Sequence, residues 1–475
     1  MPPRAVIYAV AASPLDKAVI WAGTDDGLVH VTRDGGKTWK DVTPPGLASW
    51  DKVSQIDAGH FDGSTAYVSI NALRKNDLKP HIYRTHDYGV TWKEVVAGMN
   101  PSGPVNVVRE DVKKPGLLYA GSEREVYFSI DDGDRWQSLR MNMPATSIRD
   151  LVVHENDLVI GTHGRSIWIL DDVTPLRNLA VATKSEQPYL FEPVLATRMR
   201  SNMFHDTPLP PEEPAGENPP DGAILDYWLP KPVAEVMIEI LDAQGKMVHS
   251  YSSKDQPEKL DSTGLPHPTY WIRPVQRIQI SRGHHRAVWN LRYRQPAGAD
   301  RGYSIAAVHR NTPSGPSGPF VHPGTYTVRL TADGSRSEQK IRVRMDPNVV
   351  IRDADLKVQT DLSTNCYTRY HEIQSIRNEV DAMLADPKRK WKKGQRELVQ
   401  KFRGSGDPGE GDVLYGSMHE AAPDAESLVS LQHKYLFMLT LLQSADARPV
   451  STVIDGVSRL DSRLGEMKTK WASIR

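Results

Sequence analysis

The chain has one cysteine, Cys366, among 475 residues, so no disulfide can form within it and no cysteine-only zinc site can be built from one copy. It has no surplus of either charge. Lys plus Arg and Asp plus Glu number 59 each, and no net field draws the chain to nucleic acid or an anionic membrane. No apolar run approaches the ~18 residues that a membrane-crossing helix needs. The signatures Gly-x-Ser-x-Gly, His-Glu-x-x-His and Cys-x-x-Cys are also missing. These absences predict a soluble globular chain with no metal, no cofactor, no nucleic-acid partner and no membrane span.

Some features imitate sites and are better explained otherwise. Gly36-Lys37-Thr38 looks like the end of a phosphate-binding loop, but Val31 stands where the first glycine is required. The basic run Lys388-Arg389-Lys390-Trp391-Lys392-Lys393 follows Pro387 and reads as a solvated connection. His284-His285 has no third ligand at metal spacing. The start, Met1-Pro2-Pro3-Arg4, runs straight into the strand-like Ala5-Val6-Ile7-Tyr8-Ala9-Val10, without an apolar leader core or a cleavage site. That fits a cytoplasmic protein or a chain beginning inside a longer one, and the repeats favour the second.

What is present is a repeat. Thr32-Arg33-Asp34-Gly35-Gly36-Lys37-Thr38-Trp39 returns as Thr85-His86-Asp87-Tyr88-Gly89-Val90-Thr91-Trp92, and again as Ser129-Ile130-Asp131-Asp132-Gly133-Asp134-Arg135-Trp136. All three read Ser/Thr-x-Asp-x-Gly-x-x-Trp, at intervals of 53 and 44 residues, each after a short apolar run. The pattern suits a hairpin turn. Asp34, Asp87 and Asp131 can accept backbone N–H bonds inside the loop, Gly36, Gly89 and Gly133 supply a positive φ, and Trp39, Trp92 and Trp136 carry a large apolar face into the core.

Along the chain, about three domains are expected at this length. Residues 1–176 divide into four similar units whose first strands begin near Ala5, Val53, Val105 and Ile148. The last unit ends in Asp171-Asp172 without a Gly-x-x-Trp. Residues 177–222 include the proline- and acid-rich Asp206–Pro220 and read as a linker. In residues 223–347, Val236, Ile238 and Ile240 alternate, as do Tyr326, Val328 and Leu330 before the Asp333-Gly334 turn and Ile341, Val343 and Met345 after it. This predicts an all-β sandwich. In residues 348–475 the period changes. Leu362, Cys366, Ile373, Ile376, Val380 and Met383 form one seam, Leu428, Leu431, Tyr435, Met438 and Leu442 a second, and Val453, Val457, Leu460, Leu464, Met467, Trp471 and Ile474 a third. Three amphipathic helices should form a bundle, Asp386-Pro387 ending the first and Asp424 capping the second.

The repeated motif matches the Asp-box, or bacterial-neuraminidase (BNR) repeat, and resembles that class of β-propeller. Tyr227-Trp228-Leu229-Pro230, Val288-Trp289-Asn290-Leu291-Arg292 and Pro323-Gly324-Thr325-Tyr326 resemble the immunoglobulin-like domain that follows the propeller in bacterial sortilin-like proteins. The chain as a whole is similar to the C-terminal half of such proteins, many of which carry the label glycosyl hydrolase. The fold class expected is therefore mainly β: Asp-box propeller blades, an immunoglobulin-like sandwich, then a helical bundle. Asp-box propellers are generally larger than four blades, so the missing blades are expected before Met1 or on a second subunit. The resemblance implies an extracytoplasmic protein, periplasmic or secreted, that binds a glycan or peptide. Hydrolysis is not implied, because the same repeat serves sialidases, xyloglucanases and receptors. The function expected is a binding or scaffold module, with a glycoside hydrolase as the alternative and peptide capture beside a proteolytic partner as a weaker third.

Propeller geometry says where a ligand would enter. If the Asp-box joins strands three and four, the loops between strands two and three, and between blades, emerge at the opposite end. These loops carry Asp25 and Asp26, Trp50, Glu123 and Arg124, and His163 and Arg165. Asp25 and Asp26 are weak catalytic candidates, since hydrolysis needs two carboxylates facing one bond. Trp50, Glu123, Arg124, His163 and Arg165 are candidates for contacting a ligand, against the plainer reading of solvated polar loops and rim packing.

Overall fold

The structure is a computed structural model that describes residues 5–200, 216–256, 265, 268–299, 302–303, 310–312, 314–406 and 427–475. The chain divides into two compact units, Met1–Ser185 and Glu186–Arg475, and the protein is mainly β.

Unit 1 is four successive antiparallel sheets, each in chain order. They are β1–β4 (Ile7–Ala12, Ile20–Thr24, Val29–Thr32, Lys40–Asp41), β5–β8 (Lys52–Ala58, Ala66–Asn71, His81–Thr85, Lys93–Glu94), β9–β12 (Val105–Glu110, Leu118–Ser122, Val126–Ser129, Gln137–Ser138) and the three-stranded β13–β15 (Ser147–His154, Asp157–His163, Ile167–Leu170). The first strands β1, β5, β9 and β13 neighbour one another in turn, as the inner strands of propeller blades do. Apolar side chains are buried between successive blades, on both faces of the middle two sheets and on one face of the outer two. The result is three cores, one per interface: around Trp21, Val53 and Ile56, around Tyr67, Val105 and Trp136, and around Tyr119, Ile148 and Leu158. Helix α1 (Thr174–Ala182) follows the fourth blade, with Leu176 and Leu179 on the last of these cores.

The three repeated turns close by the same bonds. Thr32 donates its hydroxyl to Asp34 (2.8 Å) and accepts the Gly36 N–H (2.9 Å), while Asp34 accepts the Thr38 N–H (2.9 Å) and hydroxyl (2.6 Å). Thr85, Asp87, Gly89 and Thr91 repeat the set. Ser129, Asp131, Gly133 and Arg135 repeat it without the last hydroxyl. The bonds from Thr38 and Thr91 hold the Asp34 and Asp87 carboxyls down at about 2. The three tryptophans are not equally buried, against the expectation that all are core. Trp92 and Trp136 donate their indole N–H to the Val42 and Val95 carbonyls (2.7 and 2.9 Å), each just past the outer strand of the preceding blade. Trp39 has no preceding blade among the described residues and is 45% exposed.

In unit 2, residues 186–200 lie within the stretch expected to be linker, yet β16 (Tyr189–Leu190) and β17 (Ala196–Arg198) are sandwich strands; residues 201–215 lie outside the described residues. The other strands are β18 (Ala223–Leu229), β19 (Val236–Leu241), β20 (Met247–Ser252), β21 (Gly283–Trp289), the short pair β22 and β23 (Gly302–Tyr303, Ser314–Gly315), β24 (Gly324–Ala332) and β25 (Ser335–Met345). A three-stranded sheet β16-β18-β21 and a five-stranded sheet β17-β25-β24-β19-β20 share one core, including Leu225, Ile238, Trp289 and Val328. The helices are α2 (Asp353–Ala385), α3 (Gln395–Arg403), α4 (Leu428–Leu442) and α5 (Ser451–Ile474), so a short helix joins the three expected. Its Val399 and Phe402 enter the bundle core, and Phe402 stacks on Trp471 at 5.6 Å. Ser427 caps α4 by accepting the Ser430 N–H; Asp424, the cap expected, lies outside the described residues.

A cationic cluster joins sandwich to bundle. Asp446, between α4 and α5, faces Arg198 Nη2 at 2.5 Å and Arg200 Nε at 2.8 Å, with Asp446 and Arg198 both buried. Arg292 lies over the Phe320 ring at 3.4 Å, and Arg198 and Arg200 approach the same ring. Burial lowers the proton affinity of Arg198 and of Arg292.

Candidate functional site

The chain enters each blade on its inner strand and leaves from its outer one, so the loops opposite the three repeated turns gather at one end. On the first two blades they bring Asp25, Asp26 and Trp50 together. Asp25 accepts the Val6 N–H (2.9 Å) and stands 3.7 Å from the Arg74 guanidinium. Asp26 accepts the Thr24 hydroxyl (2.5 Å), and its backbone carbonyl accepts the Trp50 N–H (2.8 Å). That bond helps hold Trp50 at φ 73°, a conformation a bulky residue rarely adopts, and the residue is 37% exposed. Beside it the buried Asp51 accepts the Ala48 N–H (2.7 Å) and pairs with Lys75 (2.8 Å). Asp51, Arg74 and Lys75 are site residues that sequence reasoning did not single out. Their signal is an acid directly after Trp50 and cations in the long loop of the second blade.

Glu123 and Arg124 act between strands and blades. Asn71 donates to Asn106 (2.7 Å), Asn106 donates to Glu123 (3.0 Å) and to the Ile148 carbonyl (3.0 Å), and Arg149 pairs with Glu123 (3.1 Å). Blades two, three and four are thus tied by one buried amide chain ending on the Glu123 carboxylate. Arg124 donates to the Ser102 carbonyl (3.0 Å), fixing its own loop against the entry to its blade. On the last blade His163 and Arg165 are exposed. Their backbones are anchored, the His163 carbonyl accepting from Thr146 (3.4 Å) and the Arg165 N–H donating to Thr162 (3.1 Å).

A second polar cluster lies at the end that carries the repeated turns. Asp57 accepts the Glu110 N–H (2.8 Å) and pairs with Arg109 (3.2 Å), which also holds Asp150 (3.0 Å). Glu110 accepts the His60 N–H (2.7 Å). Burial raises the Glu110 carboxyl above its ordinary value, and the Asp57 carboxylate raises His60. Glu110 is buried and accepts backbone N–H groups, so this cluster clamps neighbouring blades and offers no group to a substrate. Its members come from three blades, and no local pattern marks them. His284 stands 3.1 Å from Asp226, and His285 Nε2 lies 2.6 Å from the Ser281 carbonyl. Among the described residues no group of three His, Cys, Asp or Glu side chains could hold a metal ion, and no helix is long and apolar enough to cross a membrane.

The rim therefore divides by charge. Its carboxylates Asp25, Asp51 and Glu123 are mostly covered and occupied by N–H groups or cations, whereas Trp50, Arg74, Arg149, His163 and Arg165 face solvent. Such a surface can stack on a flat apolar face and donate hydrogen bonds to hydroxyls, carbonyls or carboxylates.

No family model matches the sequence. The oligoxyloglucan-reducing end-specific xyloglucanase of Emericella nidulans is 27% identical over 104 residues, 22% of this chain and 13% of that protein, so the match spans a small part of the relative's length. Among solved structures, YCF48 bound to D1 peptide is 19% identical with a TM-score of 0.29, over 36% of this chain and 53% of that one. The GH74 xyloglucanase from Xanthomonas campestris is 17% identical with a TM-score of 0.27, over 33% of this chain and 26% of that one.

Proposed function

We propose that unit 1 is a binding module whose rim opposite the Asp-box turns takes a glycan or a peptide, as part of an extracytoplasmic, sortilin-like protein. The observation that carries this reading is the division of the rim: donors and an aromatic ring face solvent, while the acids hold the loops together. A hydrolase of the two-carboxylate kind needs one acid free to give a proton and another free to act as base or nucleophile. Asp25 bonded to Val6 N–H and Asp26 bonded to Thr24 suit structural work better. The stretch of likeness to a xyloglucanase favours a second reading, a glycoside hydrolase, and names the first glycans to try.

Calorimetric titration with xyloglucan oligosaccharides and a peptide library tests the proposal. Binding without turnover, weakened about tenfold by Trp50→Ala, is expected for one class. That loss is about 1.4 kcal/mol, within the range of one aromatic stacking contact. Turnover abolished by Asp25→Asn or Asp26→Asn in a folded protein would establish the hydrolase instead, and binding unchanged by Trp50→Ala would move the site off this rim.

A further inference from the structure

The blades of unit 1 pack through one repeated contact. Two apolar side chains three positions apart on each inner strand press on the blade before: Val53 and Ile56, Val105 and Val108, Ile148 and Leu151, all buried. The receiving residue on the second strand is small, Gly23, Ser69 or Gly121. A Cβ at Gly23 would lie 2.3 Å from Val53 Cγ1, and one at Gly121 2.5 Å from Ile148 Cγ2, so these glycines are sockets for the next blade's knob. Strand register identifies the equivalents at the two ends. Ile7 pairs with Thr24 just before a bulge, as Ile148 pairs with Thr162, so Ile7 and Val10 are the knobs of the first blade. They are 67% and 65% exposed.

Gly161 is the socket of the fourth blade. It pairs with Ile167 as Gly23 pairs with Val29 and Gly121 with Val126, yet a Cβ there would meet only Asp150 of its own blade, at 3.6 Å. Around it Val152, Ile167 and Ile169 are exposed, although Val29 and Val126, the equivalents of Ile167, are fully buried. Unit 1 carries both halves of its own blade-to-blade contact, knob on one flank and socket on the other, each unfilled among the described residues.

We propose that two copies of this chain close on each other, Ile7 and Val10 of each seating on the Gly161 face of the other. A contact between different surfaces of identical chains either closes into a ring or grows without end. Two arcs of four blades make eight, within the roughly four to eight at which such sheets close around an axis. Both contacts then form in one assembly, so the second is made at a high effective concentration. A contiguous apolar face on each flank is the surface such an association buries.

Light scattering on chain 1–475 at tens of micromolar tests this. The expected mass is twice 53.1 kDa. Ile7→Lys removes the knob and Gly161→Gln fills the socket. Both positions face solvent and the space around Gly161 is open, so each variant should keep the circular dichroism of the parent and run at single-chain mass. Mixing the two variants pairs the intact knob of one with the intact socket of the other, and the average mass should rise above that of either alone. A parent of single-chain mass, a ladder of open polymers, variants that stay paired, or a mixture that gains no mass would each overturn the proposal.

Discussion

Replacing Asp446 with Asn should destabilise residues 186–475 by about 3 kcal/mol, because it leaves buried guanidiniums without a counter-charge. Asp446 is the carboxylate that faces both Arg198 and Arg200, and Arg292 sits on the same Phe320 ring. Removing one partner of a buried ion pair costs about 3–5 kcal/mol, and the Asn oxygen can still accept one hydrogen bond, which places the expected loss at the low end. With a urea slope of about 1–3 kcal/mol/M, the midpoint should fall by about 1–3 M without a change of slope. Urea unfolding followed by near-ultraviolet circular dichroism measures it. Arg198→Met and Arg200→Met combined with Asp446→Leu should recover much of the loss, since apolar residues of similar volume can replace a buried ion cluster nearly neutrally. A midpoint shift under about 0.3 M for Asp446→Asn would refute the reasoning, and the cluster would then have to be hydrated rather than buried.

Three further outcomes are expected. Gly121→Ala should cost about 1–3 kcal/mol in thermal or urea unfolding, because the added methyl meets Ile148 and Val107, both stiff β-branched side chains, below van der Waals distance. In an Ile7→Lys background, which leaves only contacts within one chain, Trp136→Ala should cost about 3–5 kcal/mol and Trp39→Ala under about 1, read by the same melts. The Asp34 and Asp87 carboxyls are held at about 2, below their ordinary value, so their contribution to stability is complete above about pH 4 and is lost as pH falls through about 2; Thr38→Val and Thr91→Val should move that loss to higher pH in acid-unfolding curves.

The repeated turns were legible because every bond that closes them lies within a few residues, from Thr32 to Thr38 in the first. The α5 seam was legible for the same reason, its buried Val457, Leu464, Met467, Trp471 and Ile474 falling on one helical face. β16 and β17 were hidden because strands of two and three residues have no period, and their assignment comes from partners far along the chain, Tyr227 and Trp228 for β16 and Val343 to Met345 for β17. α3 shows only two buried apolar residues, Val399 and Phe402, between Gly394 and Gly404, too few to set a rhythm. Trp39 looks like Trp92 in sequence and differs in having no blade before it among the described residues. At the rim, loop position revealed Asp25, Asp26 and Trp50, but which groups are occupied depends on Arg74 and on the Asn71–Asn106–Glu123 chain, contacts made between blades.

Four blades share three cores in unit 1, so the outer two blades are each held on one face and the middle two on both. In a linear array of this kind stability is a sum over neighbour interfaces, and opening begins at the ends. In the single-chain Ile7→Lys variant amide hydrogen exchange should therefore be graded, slowest in β6 and β10 and fastest in β1 and β15, so that the array unzips inward one blade at a time.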